Sequence, residues 1–262
     1  MIDPKTEALC ESIRDIFSCT KIPIDPKVIA KKEGIILAPD DYGPGFDGRI
    51  EFLLPERKFV IYYQDSYLHV PEVRIRFSLA HELGHFYLDH HREALCQGIS
   101  HDSEQALMSD REREREADCF AASLLIPRRE IKQRTGDKGF MDMKQIVELA
   151  DDLNVSIPAA AIRYCGYTEE NCAIILSKDG IISCHIPSDG MRDFGLSFMR
   201  SGDRVPRGSS AEKLIEFGNY REIRGESSTT DTWYQRGYDS QPLYEDSISL
   251  GYDGRVLTML SV

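Results

Sequence analysis

The feature that most constrains this chain is His81-Glu82-Leu83-Gly84-His85, an HExxH array inside the stretch RFSLAHELGHFYLDHH at Arg76–His91. Positions four apart on a helix lie on one face, so His81 and His85 can offer two imidazole nitrogens to a single metal ion. Glu82 stands about 100° further round the helix, at the rim of that face. There its carboxylate can reach a water on the metal without being a ligand. Two nitrogens on a metal with a base beside the water is the arrangement a zinc hydrolase needs. Phe77, Ala80, His81, Gly84, His85 and Leu88 share one stripe, so the helix is expected to bury that face. An amphipathic core helix could carry two histidines by chance. A metal site is the stronger expectation, because the motif has helical context and a candidate third ligand downstream.

That downstream segment is Asp110–Ile126, DREREREADCFAASLLI, which ends at Pro127. Ala117, Phe120, Ala121, Leu124 and Leu125 follow the i, i+3, i+4, i+7, i+8 pattern of an amphipathic helix. The acids before them suit a solvated helix start near the positive end of the dipole, and one of the glutamates can also complete the metal site. The polar linker HHREALCQGISHDSEQ lies between the two helices. Its His90, His91 and His101 are candidates for extra ligands or for donors to a transition state, although such residues are more often merely solvated.

Upstream, Thr6–Ser18 has apolar residues near helical spacing. Pro26–Lys32 reads as a short helix with Asp25 as N-cap, Pro26 at the first position and Gly34 as the stop. Ile35–Leu37 starts a strand, and DDYGPGFDG is too rich in Gly, Pro and Asp to be regular. Arg49–Leu54 and Lys58–Tyr63 form a hairpin around Pro55-Glu56-Arg57. Such a strand edge can hold an extended peptide by backbone hydrogen bonds or be purely structural; the sequence leaves both open.

Composition narrows the classes. At 262 residues with 41% hydrophobic and 29% charged content, the chain has the make-up of an ordinary soluble globular protein. No apolar run approaches the ~20 residues needed to span a bilayer, and the charged start MIDPKTEALCESIRD carries no signal-peptide core. A cytoplasmic protein with no membrane partner is expected. The seven cysteines are odd in number and lack a CxxC pair, so they read as reduced thiols rather than a disulfide frame or a cysteine zinc site. A net charge of −12 argues against a dedicated nucleic-acid binder, whose phosphate contacts need a basic face.

Beyond Pro127, residues 128–138 read as a basic, glycine-containing linker. Met141–Leu153 and Pro158–Tyr164 read as two helices around the turn Asn154-Val155-Ser156. The second helix offers Arg163 as its only cation and little that reads base edges, so DNA binding through 141–164 stands beside a packing role. After Asn171 the pattern turns to β. Cys172–Ser177 and Ile181–Ile186 form a hairpin about a KDG turn, with a short helix near Ala211–Phe217. Strand-like segments follow at Thr230–Tyr234, Leu243–Leu250 and Val256–Val262. This suggests a small α+β domain of sensor type. It contains no P-loop, dinucleotide fingerprint or internal repeat.

Taken together, RIRFSLAHELGHFYLDH and the later EREADCFAASLLIP resemble the ImmA/IrrE family of metallo-endopeptidases, as does the upstream IPIDPKVIAKKEGI. The resemblance covers roughly residues 5–130. It implies a gluzincin-like zinc peptidase domain in which His81, His85 and Glu114 bind the metal and Glu82 is the general base. It also implies a substrate class, helix-turn-helix repressors, whose cleavage releases stress-response or mobile-element genes. Helix geometry favours the same glutamate: Glu114 lies about 50° from the centre of the apolar stripe, Glu116 about 110° and Glu112 about 150°. Asp118, one turn on, could take the outer N–H of His81 or His85 and fix its tautomer.

The expected fold is therefore α+β in three parts. Residues 1–130 form the gluzincin-like zinc peptidase domain, a small sheet with active-site helices. Residues 131–168 form a helix-turn-helix-like module, and 169–262 a C-terminal α+β regulatory domain of sensor type, weakly similar to GAF domains. The expected activity is zinc-dependent hydrolysis of a peptide bond in a protein substrate, with Mn²⁺ or Fe²⁺ also acceptable to two His and a Glu. The rivals are a DNA-binding transcriptional regulator with a vestigial metal site and a small-peptide hydrolase with no regulatory role. His90, His101 and the tyrosines are the candidates for stabilising the oxyanion.

Overall fold

The computed structural model of the chain describes residues 3–19, 21–43, 45–65, 70–97, 104–136, 139–196, 199–217, 221–234, 240–251 and 253–262, with backbone alone for 104–110. It is a mixed α and β structure that divides into two compact units, residues 1–127 with 151–156, and residues 128–150 with 157–262. Among the described residues no helix is long and apolar enough to cross a membrane.

The first unit opens with α1 (Pro4–Ile16), whose first turn is capped by the Asp3 carboxylate accepting from the Lys5 and Thr6 N–H groups. In α2 (Pro26–Lys32) the Asp25 carboxylate accepts the Lys27 N–H, and Gly34 leaves the helix at φ +75°. Strands β1 (Ile36–Asp40), β2 (Gly48–Leu53) and β3 (Lys58–Gln64) form a sheet in the order β1-β3-β2. β1 runs parallel to β3 and β2 antiparallel to it, in a register that pairs Ile50 with Ile61. β2 is thus an edge strand. Helix α3 (Glu72–Tyr87) carries the HExxH array, and its backbone breaks at Leu88 (φ −78°, ψ 112°) before α4 (Asp89–Cys96). Helix α5 (Glu104–Leu125) follows and ends before Pro127, as proline requires.

Two features fix α3. A Cβ added at Gly84 would lie 3.1 Å from the Ala117 Cα, 3.2 Å from its carbonyl oxygen and 3.2 Å from the Phe120 Cβ, so glycine is what lets α5 approach this closely. The Arg76 guanidinium is buried and donates to the carbonyls of Ile24, Leu153 and Asn154. These bonds tie residues 151–156 into the first unit.

After Pro127 come α6 (Arg128–Thr135), α7 (Met143–Leu153), of which residues 143–150 belong to the second unit, and α8 (Ile157–Cys165). Asn154 stands between the last two at φ +50°. A five-stranded antiparallel sheet follows in the order β5-β4-β8-β7-β6. Its strands are β4 (Cys172–Lys178), β5 (Ile181–Pro187), β6 (Glu222–Thr229), β7 (Pro242–Ser249) and β8 (Arg255–Ser261). Helices α9 (Asp189–Asp193), α10 (Ser210–Phe217) and α11 (Thr230–Trp233) lie between them. The core gathers Ile175, Ile182, Met191, Leu214, Trp233 and Leu260.

Three sequence expectations change. The linker after the HExxH helix begins with the ordered helix α4, held by the Arg92 guanidinium over the Phe86 ring at 4.6 Å and the Phe59 ring at 5.6 Å. Residues 128–138, expected as a linker, contain α6. Thr230–Tyr234 is not a strand but the short helix α11; the strand is β6, just before it. β6 lies at the sheet edge and buries little of its length, so it shows no alternating apolar pattern to read.

Candidate metal centre

Helix α3 places His81 and His85 one turn apart, with the two Nε2 atoms 3.1 Å from each other. Helix α5, brought in at Gly84, sets the Glu114 carboxylate across both of them. One oxygen is 3.1 Å from His81 Nε2 and the other 3.4 Å from His85 Nε2. Glu112 belongs to neither donor group, although Glu112 and Glu114 are both exposed. Among the described residues, His81, His85 and Glu114 form one of two groups that could hold a metal ion; the other is His90, His91 and Glu116.

The first group fits a divalent cation. Tetrahedral bonds of about 2.0–2.1 Å place neighbouring donors roughly 3.3 Å apart, close to the separations of 3.1, 3.1 and 3.4 Å found here. The outer nitrogens are also committed. His81 Nδ1 is 2.9 Å from an Asp118 carboxylate oxygen, which can only accept. His81 Nδ1 must then carry the proton, and in the neutral ring Nε2 turns a lone pair toward Glu114. His81 Nε2, His85 Nε2 and the Glu114 carboxylate thus face one another closely enough to hold one metal ion.

Without an ion a proton serves instead. Burial alone would lower the His81 pKa, but hydrogen bonds to Asp118 and Glu114 outweigh it and push the value up to about 10. The same bonds from His81 and His85 hold the Glu114 carboxyl far below the usual carboxylate range.

Glu82 lies beside this group and is 7% exposed. Burial raises its pKa, opposed by the neighbouring His81 and His85. The Ile50 N–H of the edge strand β2 bonds to its carboxylate. A Cβ on Gly48 would come within 3.2 Å of one of its oxygens, so the start of β2 lies directly against the carboxylate.

The linker histidines separate once α4 is recognised. His91 is buried and His90 exposed; His101 lies outside the described residues. His91 Nδ1 is 3.0 Å from His85 Nδ1, and His91 Nε2 is 2.9 Å from a Glu116 oxygen. His90 Nε2 lies 2.7 Å from that same oxygen. Burial lowers the His91 pKa to about 4, against the opposing hydrogen bond to Glu116. Glu116, set aside as a ligand on helix geometry, is seated beside the site through His90 and His91. The HH dipeptide was visible, but which histidine turns inward depends on the break at Leu88.

With this geometry in hand, residues 68–164 match the family model described as Peptidase M78, IrrE N-terminal-like domain. Residues 68–164 therefore carry a domain of the ImmA/IrrE type. Among solved structures it is similar to a Mycobacterium tuberculosis transcriptional regulator, at 16% sequence identity and a TM-score of 0.63, covering 99% of this chain and 76% of that one. At that identity the likeness is one of fold. A search of curated proteins found no match.

Proposed function

We propose that the chain is a zinc-dependent endopeptidase that cuts a protein substrate, with His81, His85 and Glu114 as metal ligands and Glu82 as general base. The observation that supports this most is the buried Glu82 carboxylate, with its raised pKa, beside three converging donors. What a bound ion supplies there is Lewis-acid polarisation of a carbonyl oxygen and a lowered pKa for a neighbouring water. Glu82 takes a proton from the attacking water as its oxygen bonds to the scissile carbonyl carbon. It then returns that proton to the amine nitrogen as the C–N bond breaks. The position of Glu82 beside the donor group suits both halves of that task.

The outer edge of β2 is the proposed resting place for an extended stretch of substrate, held by backbone hydrogen bonds. Zinc is favoured by the donor set, and Mn²⁺ is accepted by the same ligands. From the family resemblance, the substrate is a helix-turn-helix repressor and the outcome is release of stress-response or mobile-element genes in the cytoplasm. Residues 131–168 then serve as a helix-turn-helix-like packing module and 169–262 as a GAF-like regulatory domain, since both candidate donor groups among the described residues lie in the first unit. The rival, a DNA-binding regulator reading through 141–164, is disfavoured by Arg163. This only cation of α8 is 5% exposed and lies against the Tyr167 ring.

The test mixes purified protein with the helix-turn-helix regulator encoded beside its gene. A single cut that needs the metal and disappears in Glu82→Gln is expected. DNA binding that survives Glu82→Gln and falls steeply with salt, without any cut, would favour the rival. Broad cleavage of short peptides would point instead to a general peptidase.

A further inference from the structure

The two histidine clusters are joined by one hydrogen bond, and that bond decides what the second cluster is for. His85 Nδ1 and His91 Nδ1 are 3.0 Å apart, and His91 Nε2 is 2.9 Å from Glu116. His91 is 2% exposed, so both of its ring nitrogens are engaged inside the protein. We propose that His91 and Glu116 are positioning residues that fix the ring and tautomer of His85 for metal binding; this rests on the metal-centre reading above.

The proton count leaves a single consistent arrangement. With His85 Nε2 on a metal, the neutral ring carries its proton on Nδ1 and must donate it. His91 Nδ1 must then accept, which places the His91 proton on Nε2, directed at Glu116. The Glu116 carboxylate accepts it, together with the N–H of His90 at 2.7 Å. Donor and acceptor alternate without a break from the metal ligand to the carboxylate. The two ligand histidines are thereby supported differently. His81 donates directly to Asp118, whereas His85 reaches its carboxylate through a second imidazole. In both cases an anion on α5 terminates the outer side of an α3 ligand.

The competing reading makes His90, His91 and Glu116 a second metal site. The same bond opposes it. A metal on His91 Nε2 would leave the His91 proton on Nδ1, where it would face the Nδ1 proton of a metal-loaded His85 at 3.0 Å. Two donors would then meet with no acceptor between them. With neutral rings, the clusters cannot both be loaded, so one metal per chain is expected.

The experiment uses the full chain and zinc alone. Zinc affinity is measured by competition with a chromophoric chelator for wild type, His91→Leu, His91→Gln and Glu116→Ala. His91→Leu and Glu116→Ala should each weaken zinc by about 10–100-fold, the usual consequence of losing an outer-sphere partner. Their double variant should be little worse than either one, because they act through one chain. His91→Gln should recover most of the loss, since its amide can accept from His85 and donate to Glu116. A residue that merely fills space would show no such recovery.

Should the variants fail to fold, wild type still decides. Long-range nitrogen–proton NMR of the zinc-loaded protein should show His85 protonated on Nδ1 and His91 on Nε2. A His91 proton on Nδ1, two zinc ions per chain, or unchanged affinity in a folded His91→Leu overturns the relay and leaves the metal centre standing. A wild type that takes up no zinc overturns both.

Discussion

Glu82 in the first unit and Glu245 in the second are both withdrawn from solvent, at 7% and 0% exposure, but their surroundings differ in kind. Glu245 is enclosed by donors. One oxygen accepts from the Ser210 N–H and hydroxyl and the other from the Trp233 indole, while Ser210 continues through Ser247 to Thr258. That network joins α10, α11 and three positions of the sheet, and it gives the carboxylate nothing further to do. Glu82 takes the N–H of an edge strand and lies beside two imidazoles and a second carboxylate. A buried acid is therefore not itself a sign of chemistry. What marks Glu82 is a neighbourhood that raises its pKa while leaving a converging, cation-seeking donor set next to it.

The most direct way to break this contrast is to neutralise each acid in turn. Glu82→Gln should lower cleavage by about 10²–10⁴-fold while the metal content of the chain stays that of wild type, measured by elemental analysis. Glu245→Gln should leave the cutting rate of the folded protein near normal. Loss of metal in Glu82→Gln would make it a ligand, and an unaffected rate would remove it from the mechanism.

The next sharpening concerns the glutamates of α5. Glu114→Gln should weaken zinc by more than the about 10–100-fold expected of an outer partner, because it removes a direct donor. Glu112→Gln, outside the donor group, should change affinity by less than about twofold. Chelator competition separates these outcomes, with circular dichroism confirming that the helix remains.

For the second unit the expected effect is on stability. Glu245→Ala would strand the Ser210 N–H and the Trp233 indole N–H in a buried site, each costing about 1–3 kcal/mol when unsatisfied. A loss of about 3 kcal/mol in denaturant unfolding is expected, with zinc affinity unchanged. Comparable zinc loss would mean that the contrast between the two acids is false.

These differences explain which parts were legible beforehand. α2 was readable to the residue because Asp25, Pro26 and Gly34 are local signals, acting through a cap, a fixed φ and a left-handed exit. The HExxH helix and the β2–β3 hairpin were legible for similar reasons. Glu114 could be favoured over its neighbours because one apolar stripe orients the helix. α4 and α6 escaped because their sequences, DHHREALC and RREIKQRT, are too polar to show a clear apolar face. His91 escaped because its burial arises from the chain reversal at Leu88 and the seating of Arg92 on Phe59 and Phe86. Contacts of that kind leave no periodic trace. The Glu245 network likewise joins residues up to 37 positions apart, and no spacing rule links them.

The smallest expected effect tests the close approach on which the first unit's site depends. Gly84→Ala adds one methyl where the Ala117 backbone is 3.1–3.2 Å away. Two terms oppose each other. Alanine is favoured over glycine inside a helix by about 1 kcal/mol, whereas overpacking a tight contact costs about 1–3 kcal/mol. Because the nearest atoms are backbone rather than the end of a flexible side chain, the second term should prevail, leaving a net loss of up to about 2 kcal/mol. The displacement would fall on α5 at Ala117, one turn from Glu114, so zinc affinity should drop even though no ligand has been touched. Denaturant unfolding and chelator competition on the same variant measure the two effects. A Gly84→Ala protein that is more stable and binds zinc as wild type does would show that α5 can yield at this point, and that the close packing of α3 on α5 is not what holds Glu114 in place.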